Sequence, residues 1–194
     1  MRKLPLIGVL LVLIGSAATV AASTGTRQHA AGPLPVGRAS NHRVQAQPPA
    51  NSCHARGRGE LSLPDVRCTP GAISPTVTQA NITQTICHSG YSESVRPSES
   101  ITEPEKLASM AAYGDHDSPR HYEYDHLVSL ELGGATNDAR NLWPEPGASP
   151  NIKDRIEDRL HRLVCDGQVS LSSAQSQIAR DWPAAYRRYI GTIP

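Results

Sequence analysis

Four cysteines, Cys53, Cys68, Cys87 and Cys165, constrain what this chain can fold into more than any other feature. None falls in a C-x-x-C pair, so the spacing argues against a zinc ribbon or a redox motif. In an oxidising compartment an even count reads as two disulfides, and four cysteines allow three connectivities. We favour Cys53–Cys68, joining the end of an N-terminal segment to the domain, and Cys87–Cys165, clamping an early strand to a late helix. An unpaired Cys53 in a mobile segment is the alternative.

The compartment is argued from the first residues. Arg2 and Lys3 form a positive start, Leu4 to Gly15 is apolar, and Val20-Ala21-Ala22 offers small residues at a cleavage site. Residues 1–22 therefore read as a secretory signal peptide. The competing reading, an uncleaved anchor helix, is disfavoured because the apolar run is short of the ~20 residues a span needs. Residues 23–60 carry Pro33, Pro35, Pro48 and Pro49 among Gly, Ser and Asn without apolar periodicity, and read as a flexible basic tether. The folded domain is expected over 61–194, and the whole as a secreted monomer with no membrane attachment once the leader is removed.

A formal net charge of +1 over 194 residues looks too balanced for a nucleic-acid binder. The charge is unevenly spread, however. Residues 1–60 hold seven of the 19 Lys and Arg but one of the 18 acids, which leaves 61–194 at a formal −5.

Local pattern gives an α+β fold. The β-branched stretch from Thr76 to Cys87 predicts strand, and Thr102, Pro104 and Glu105 predict a helix opening that runs to Tyr113 and stops at Gly114. Tyr122 to Leu132 is strand-like, Gly133-Gly134 marks a turn, and Asn141-Leu142-Trp143 is a return strand. Asn151 opens a helix with Ile152, Ile156, Leu160, Leu163 and Val164 on one stripe; Lys153, Asp154, Arg155 and Glu157 fall on the other faces. Leu171, Ala174 and Ile178 stripe a last helix that Pro183 breaks or kinks after Trp182. Asn81-Ile82-Thr83 matches a glycosylation sequon, a pattern common by chance.

The ordered set Asp125-His126, Gly133-Gly134, Asn141-Leu142 and Asn151, in strand–turn–strand–helix context, resembles the HNH branch of the ββα-metal nucleases over residues 122–165. The resemblance implies a hairpin–helix core with flanking strands and helices. It implies His126 as general base, Asn141 as the residue that fixes the hairpin loop, and Asp125 and Asn151 as metal ligands. The cofactor it implies is a divalent ion, Mg first, with Mn, Ca or Zn as alternatives. Two departures stand out: the cysteines that often hold a structural zinc in such domains are absent, and Asn151 occupies a position where many members carry His. Glu145 or Asp154 is placed to assist, whereas His121, Glu123 and Glu131 are expected at the surface.

These residue types suit phosphodiester hydrolysis. A neutral imidazole can take a proton from water near neutral pH, and a cation on hard oxygens can stabilise charge at phosphorus and on the departing oxygen. The expectation is a secreted metal-dependent endonuclease of low sequence specificity, with DNA or RNA as substrate and an immunity or inhibitor partner left open. The alternative is a secreted binding or structural module on the same scaffold with a decayed site. The acidic balance of 61–194 favours the alternative, because nucleic-acid affinity normally comes from Lys and Arg.

Overall fold

A computed structural model describes residues 32–37, 43–147 and 149–194. The expected signal peptide, residues 1–22, and the tether at 23–31 and 38–42 lie outside the described residues. The fold is mixed, with four α-helices and one small antiparallel sheet among the described residues. Helices α1 (Tyr91–Val95) and α2 (Glu99–Tyr113) precede strands β1 (Tyr122–His126) and β2 (Leu142–Pro146). Helices α3 (Asp154–Cys165) and α4 (Leu171–Tyr189) close the chain. The disulfides are Cys53–Cys68 and Cys87–Cys165.

The strands pair with Asp125 opposite Trp143 and His126 opposite Leu142. The strand expected to reach Leu132 ends at His126, and Leu130–Leu132 form a single 3-10 turn. Gly133 continues from it at φ +70°, a left-handed conformation glycine adopts without strain. At Gly134 a Cβ would stand 1.8 Å from the Val128 carbonyl oxygen, so the loop folds back more tightly than any side chain allows.

The core lies between this loop and the last two helices. Leu127, Val128 and Leu132 meet Ile156, Leu160 and Val164 of α3 and Ile178, Trp182 and Tyr186 of α4. Burial of each large apolar side chain stabilises the fold by roughly 1.5–3 kcal/mol. Trp182 also donates Nε1–H to the Ser62 carbonyl at 3.2 Å. Pro183 breaks α4 as anticipated: Asp181 leaves helical geometry, and its carboxylate accepts the Ala184 N–H at 2.9 Å, capping the second run.

Three expectations are corrected. The stretch 76–87 is not strand. Gln79–Gln84 wind into 3-10 turns, with the Asn81 side chain accepting from Thr78 N–H and donating to the Thr76 carbonyl. Local polar side chains satisfy this backbone without a neighbouring strand, which overrides β-branched propensity. Helix α2 begins at Glu99, three residues before the predicted opening, because Ser98 already accepts from Ile101 and Thr102 through its carbonyl. Residues 43–60, assigned to the tether, are held to the fold. Asn51 and Cys53 donate backbone N–H groups to Ala111 and Ala112, and Gln45 N–H bonds the buried Glu105 carboxylate at 2.6 Å.

Candidate active site

His126 is the last residue of β1, where the chain leaves the sheet. Adjacent residues on a regular strand face opposite ways. Because the strand ends here, Asp125 and His126 both line one cavity of about 330 Å³, together with Arg96, Glu123, Asp154 and Glu157.

His126 is 6% exposed, and its Nε2 lies 2.9 Å from the Thr136 carbonyl oxygen. A carbonyl only accepts, so Nε2 carries the proton and Nδ1 keeps its lone pair. Nδ1 has no hydrogen-bond partner among the described residues. Burial lowers the ring to about 4, while the Thr136 carbonyl and the Asp125 carboxylate favour the imidazolium. The imidazole is therefore neutral at physiological pH, and the residue forms part of the cavity wall.

Asn141 is fully buried and ties the hairpin loop together. Its Oδ1 accepts from Val128 N–H at 2.9 Å and Ala72 N–H at 3.4 Å. Its Nδ2 donates to the Val128 and Ala135 carbonyls, each at 3.0 Å. Both amide ends are consumed by backbone, so Asn141 reaches the chemistry only through the loop that carries Thr136, and hence through His126.

The two residues assigned as metal ligands are not brought to one opening. Asn151 donates Nδ2–H to Glu123 at 2.9 Å, and its Oδ1 accepts the Lys153 N–H at 2.8 Å. Its own N–H bonds Asp154, so it serves as a turn preceding α3 and does not line the cavity. One lone pair of its Oδ1 is thus taken by a backbone N–H, which leaves the other for a further partner.

Sequence reasoning missed Lys153. Its side chain is 1% exposed, and its ammonium lies 2.5 Å from Asp125 Oδ2, 2.9 Å from the His126 carbonyl and 3.9 Å from Glu145, with Glu157 as a further close partner. Burial alone would lower it, but the surrounding carboxylates hold it well above the ordinary lysine range. Burial likewise opposes ionisation of Asp125, yet the Lys153 ammonium keeps that carboxyl below its usual range. Burial drives Glu145 well above its usual value and takes Glu157 to about 8. No periodicity signal could have found this lysine, because a helical reading assigns a charged residue to the solvated face.

Asp125, Glu157, Glu123 and Asp154 line the cavity with hard carboxylate oxygens, the donor type a divalent cation takes, and Lys153 pairs with the first two. Magnesium is commonly held by one or two carboxylates with several retained waters, so a closed protein cage is not required. Among the described residues the one group of three His, Cys, Asp or Glu with ligand atoms within 4.8 Å of one another lies elsewhere, at Cys87, His161 and Cys165. Both sulfurs are spent in the disulfide, however, and His161 Nε2 lies 2.8 Å from the Ile86 carbonyl. That set can take a metal only after reduction.

Compared with known proteins, the chain matches no family model, no curated protein and no solved structure.

Proposed function

We propose that this protein is a secreted, divalent-metal-dependent nuclease that hydrolyses phosphodiester bonds with low sequence specificity. The observation that carries the reading is His126. It is a buried neutral imidazole with Nε2–H held by the Thr136 carbonyl and an unpartnered Nδ1, on a residue that lines a carboxylate-lined cavity. Two disulfides accord with an oxidising compartment, and no helix of the described residues is long and apolar enough to cross a membrane.

In this mechanism His126 Nδ1 accepts the proton of the water attacking phosphorus, and the Thr136 carbonyl and Asp125 stabilise the imidazolium that results. Asp125 and Glu157 would hold the cation, with Glu123 and Asp154 beside them. When bound, the cation supplies Lewis acidity toward the phosphate and the departing 3′ oxygen. Asn141 keeps the loop closed, so that the Thr136 carbonyl remains aligned with the ring. Lys153 holds Asp125 and Glu157 side by side and keeps Asp125 ionised despite its burial.

The decisive assay is nicking of supercoiled plasmid in Mg, in Mn and with chelator. Wild type is expected to nick in metal only, and His126→Ala to lose at least about a hundredfold, the usual worth of a positioned base. One observation favours the alternative of an inactive binding module: Asp125 is already neutralised by Lys153. Wild-type nicking no faster than His126→Ala in every metal establishes that alternative.

A further inference from the structure

A second cavity, of about 510 Å³, adjoins the first and shares Arg96, Glu123, His126 and Ser149 with it. Its wall differs in character. Arg96 follows α1, Lys106 lies on α2 and Arg120 precedes β1, so three separate elements each direct a cation to one space. None of the three makes an ion pair or a side-chain hydrogen bond among the described residues. Glu99 and Glu103 stand on the same wall, exposed and outside ion-pair distance of the cations, while Glu123 is occupied by Asn151.

Tyr122 and Tyr124 complete the wall. Both are half-buried with their hydroxyls anchored: Tyr122 donates toward Asp115 at 3.4 Å, and Tyr124 accepts from Gln47 at 3.0 Å. Anchored hydroxyls leave the rings as fixed surfaces. A base still paired and stacked in a duplex cannot enter a recess to meet them, whereas an unpaired base can.

We infer that this second cavity binds a single nucleic-acid strand beside the scissile phosphate, with Arg96, Lys106 and Arg120 contacting its phosphates and Tyr122 and Tyr124 stacking its bases. The inference rests on the nuclease reading and deepens it by naming the substrate as single-stranded. The domain is acidic overall, but six carboxylates line the first cavity, whereas the second balances Arg96, Lys106 and Arg120 against Glu99, Glu103 and Glu123. Arg96 lines both cavities and so stands at their junction.

The test is fluorescence anisotropy of a labelled twelve-residue oligothymidylate with the His126→Ala protein, which removes cleavage, over a salt series in Mg and in chelator. Each phosphate contact to a single strand contributes about 0.7 to the slope of log K against log salt. The triple variant Arg96→Ala/Lys106→Ala/Arg120→Ala is expected to flatten the slope by about 2, and each single variant by about 0.7. Arg58→Ala, outside both cavities, should leave it unchanged. Tyr122→Leu and Tyr124→Leu should each weaken binding at least about fivefold without altering the slope. An unchanged slope in the triple variant, or tighter binding of a duplex of the same length than of the single strand, overturns the inference. The two readings fail separately. His126-dependent cleavage with an unaltered slope removes the strand site alone, and the expected slope changes without His126-dependent cleavage remove the nuclease reading alone.

Discussion

Removing the Lys153 ammonium tests the electrostatic design of the site. Lys153→Met keeps an unbranched apolar stem but leaves Asp125, Glu145, Glu157 and the His126 carbonyl around a position without positive charge. Breaking a buried ion pair from one side costs about 3–5 kcal/mol. For a domain of this size each kcal/mol moves Tm by about 2–4 °C, so the expected fall is roughly 10 °C. Circular dichroism melts at neutral pH measure it. Adding Asp125→Asn to Lys153→Met should restore part of the loss, because the carboxyl that Lys153 holds ionised is then neutral. A smaller replacement, Lys153→Ala, opens the same oxygen-lined position to an ion. Its Tm should rise in millimolar Ca or Mg by more than that of wild type. A Lys153→Met protein that melts within about 2 °C of wild type, corresponding to less than about 1 kcal/mol, together with a Lys153→Ala protein indifferent to metal, would refute this reasoning.

Other outcomes follow from the same structure. Asn141→Ala strands buried backbone groups of Val128 and Ala135, each costing about 1–3 kcal/mol, and should denature at markedly lower urea concentration than wild type. Glu105 is fully buried, and burial raises its carboxyl, so the folded state binds a proton more tightly than the unfolded state does. Stability is then lost as pH rises above the ordinary Glu range; Glu105→Gln should melt higher than wild type at pH 8 and alike at pH 4. The Cys87–Cys165 bridge closes a span of 78 residues against 15 for Cys53–Cys68. Loop entropy predicts that replacing the pair by alanines costs about 4.5 kcal/mol for the first and about 3 for the second, a ranking that denaturant titration checks.

Particular residues show where sequence reasoning reached and where it stopped. The α3 stripe of Ile156, Leu160, Leu163 and Val164 was legible because helical periodicity records which face is buried. Both disulfides and the break at Pro183 were legible because their chemistry is local or pairwise. Lys153 was not legible, since its burial depends on Asp125 and Glu145 arriving from two strands that precede it in the chain. Residues 43–60 lack apolar periodicity and are held instead by backbone hydrogen bonds and a disulfide, neither of which leaves a compositional signature. The formal −5 over 61–194 says nothing of where charge sits: the first cavity is lined by six carboxylates, and the second by three carboxylates and three cations.

The most direct test is the fate of the water whose proton His126 takes. A single-stranded oligonucleotide cleaved in Mg and oxygen-18 water should yield fragments whose 5′-phosphate carries one labelled oxygen and whose partner ends in a 3′-hydroxyl, with the reaction abolished by His126→Ala. Labelled product formed equally by His126→Ala, or cleavage leaving an unlabelled cyclic phosphate, would contradict a water-attack mechanism based on His126.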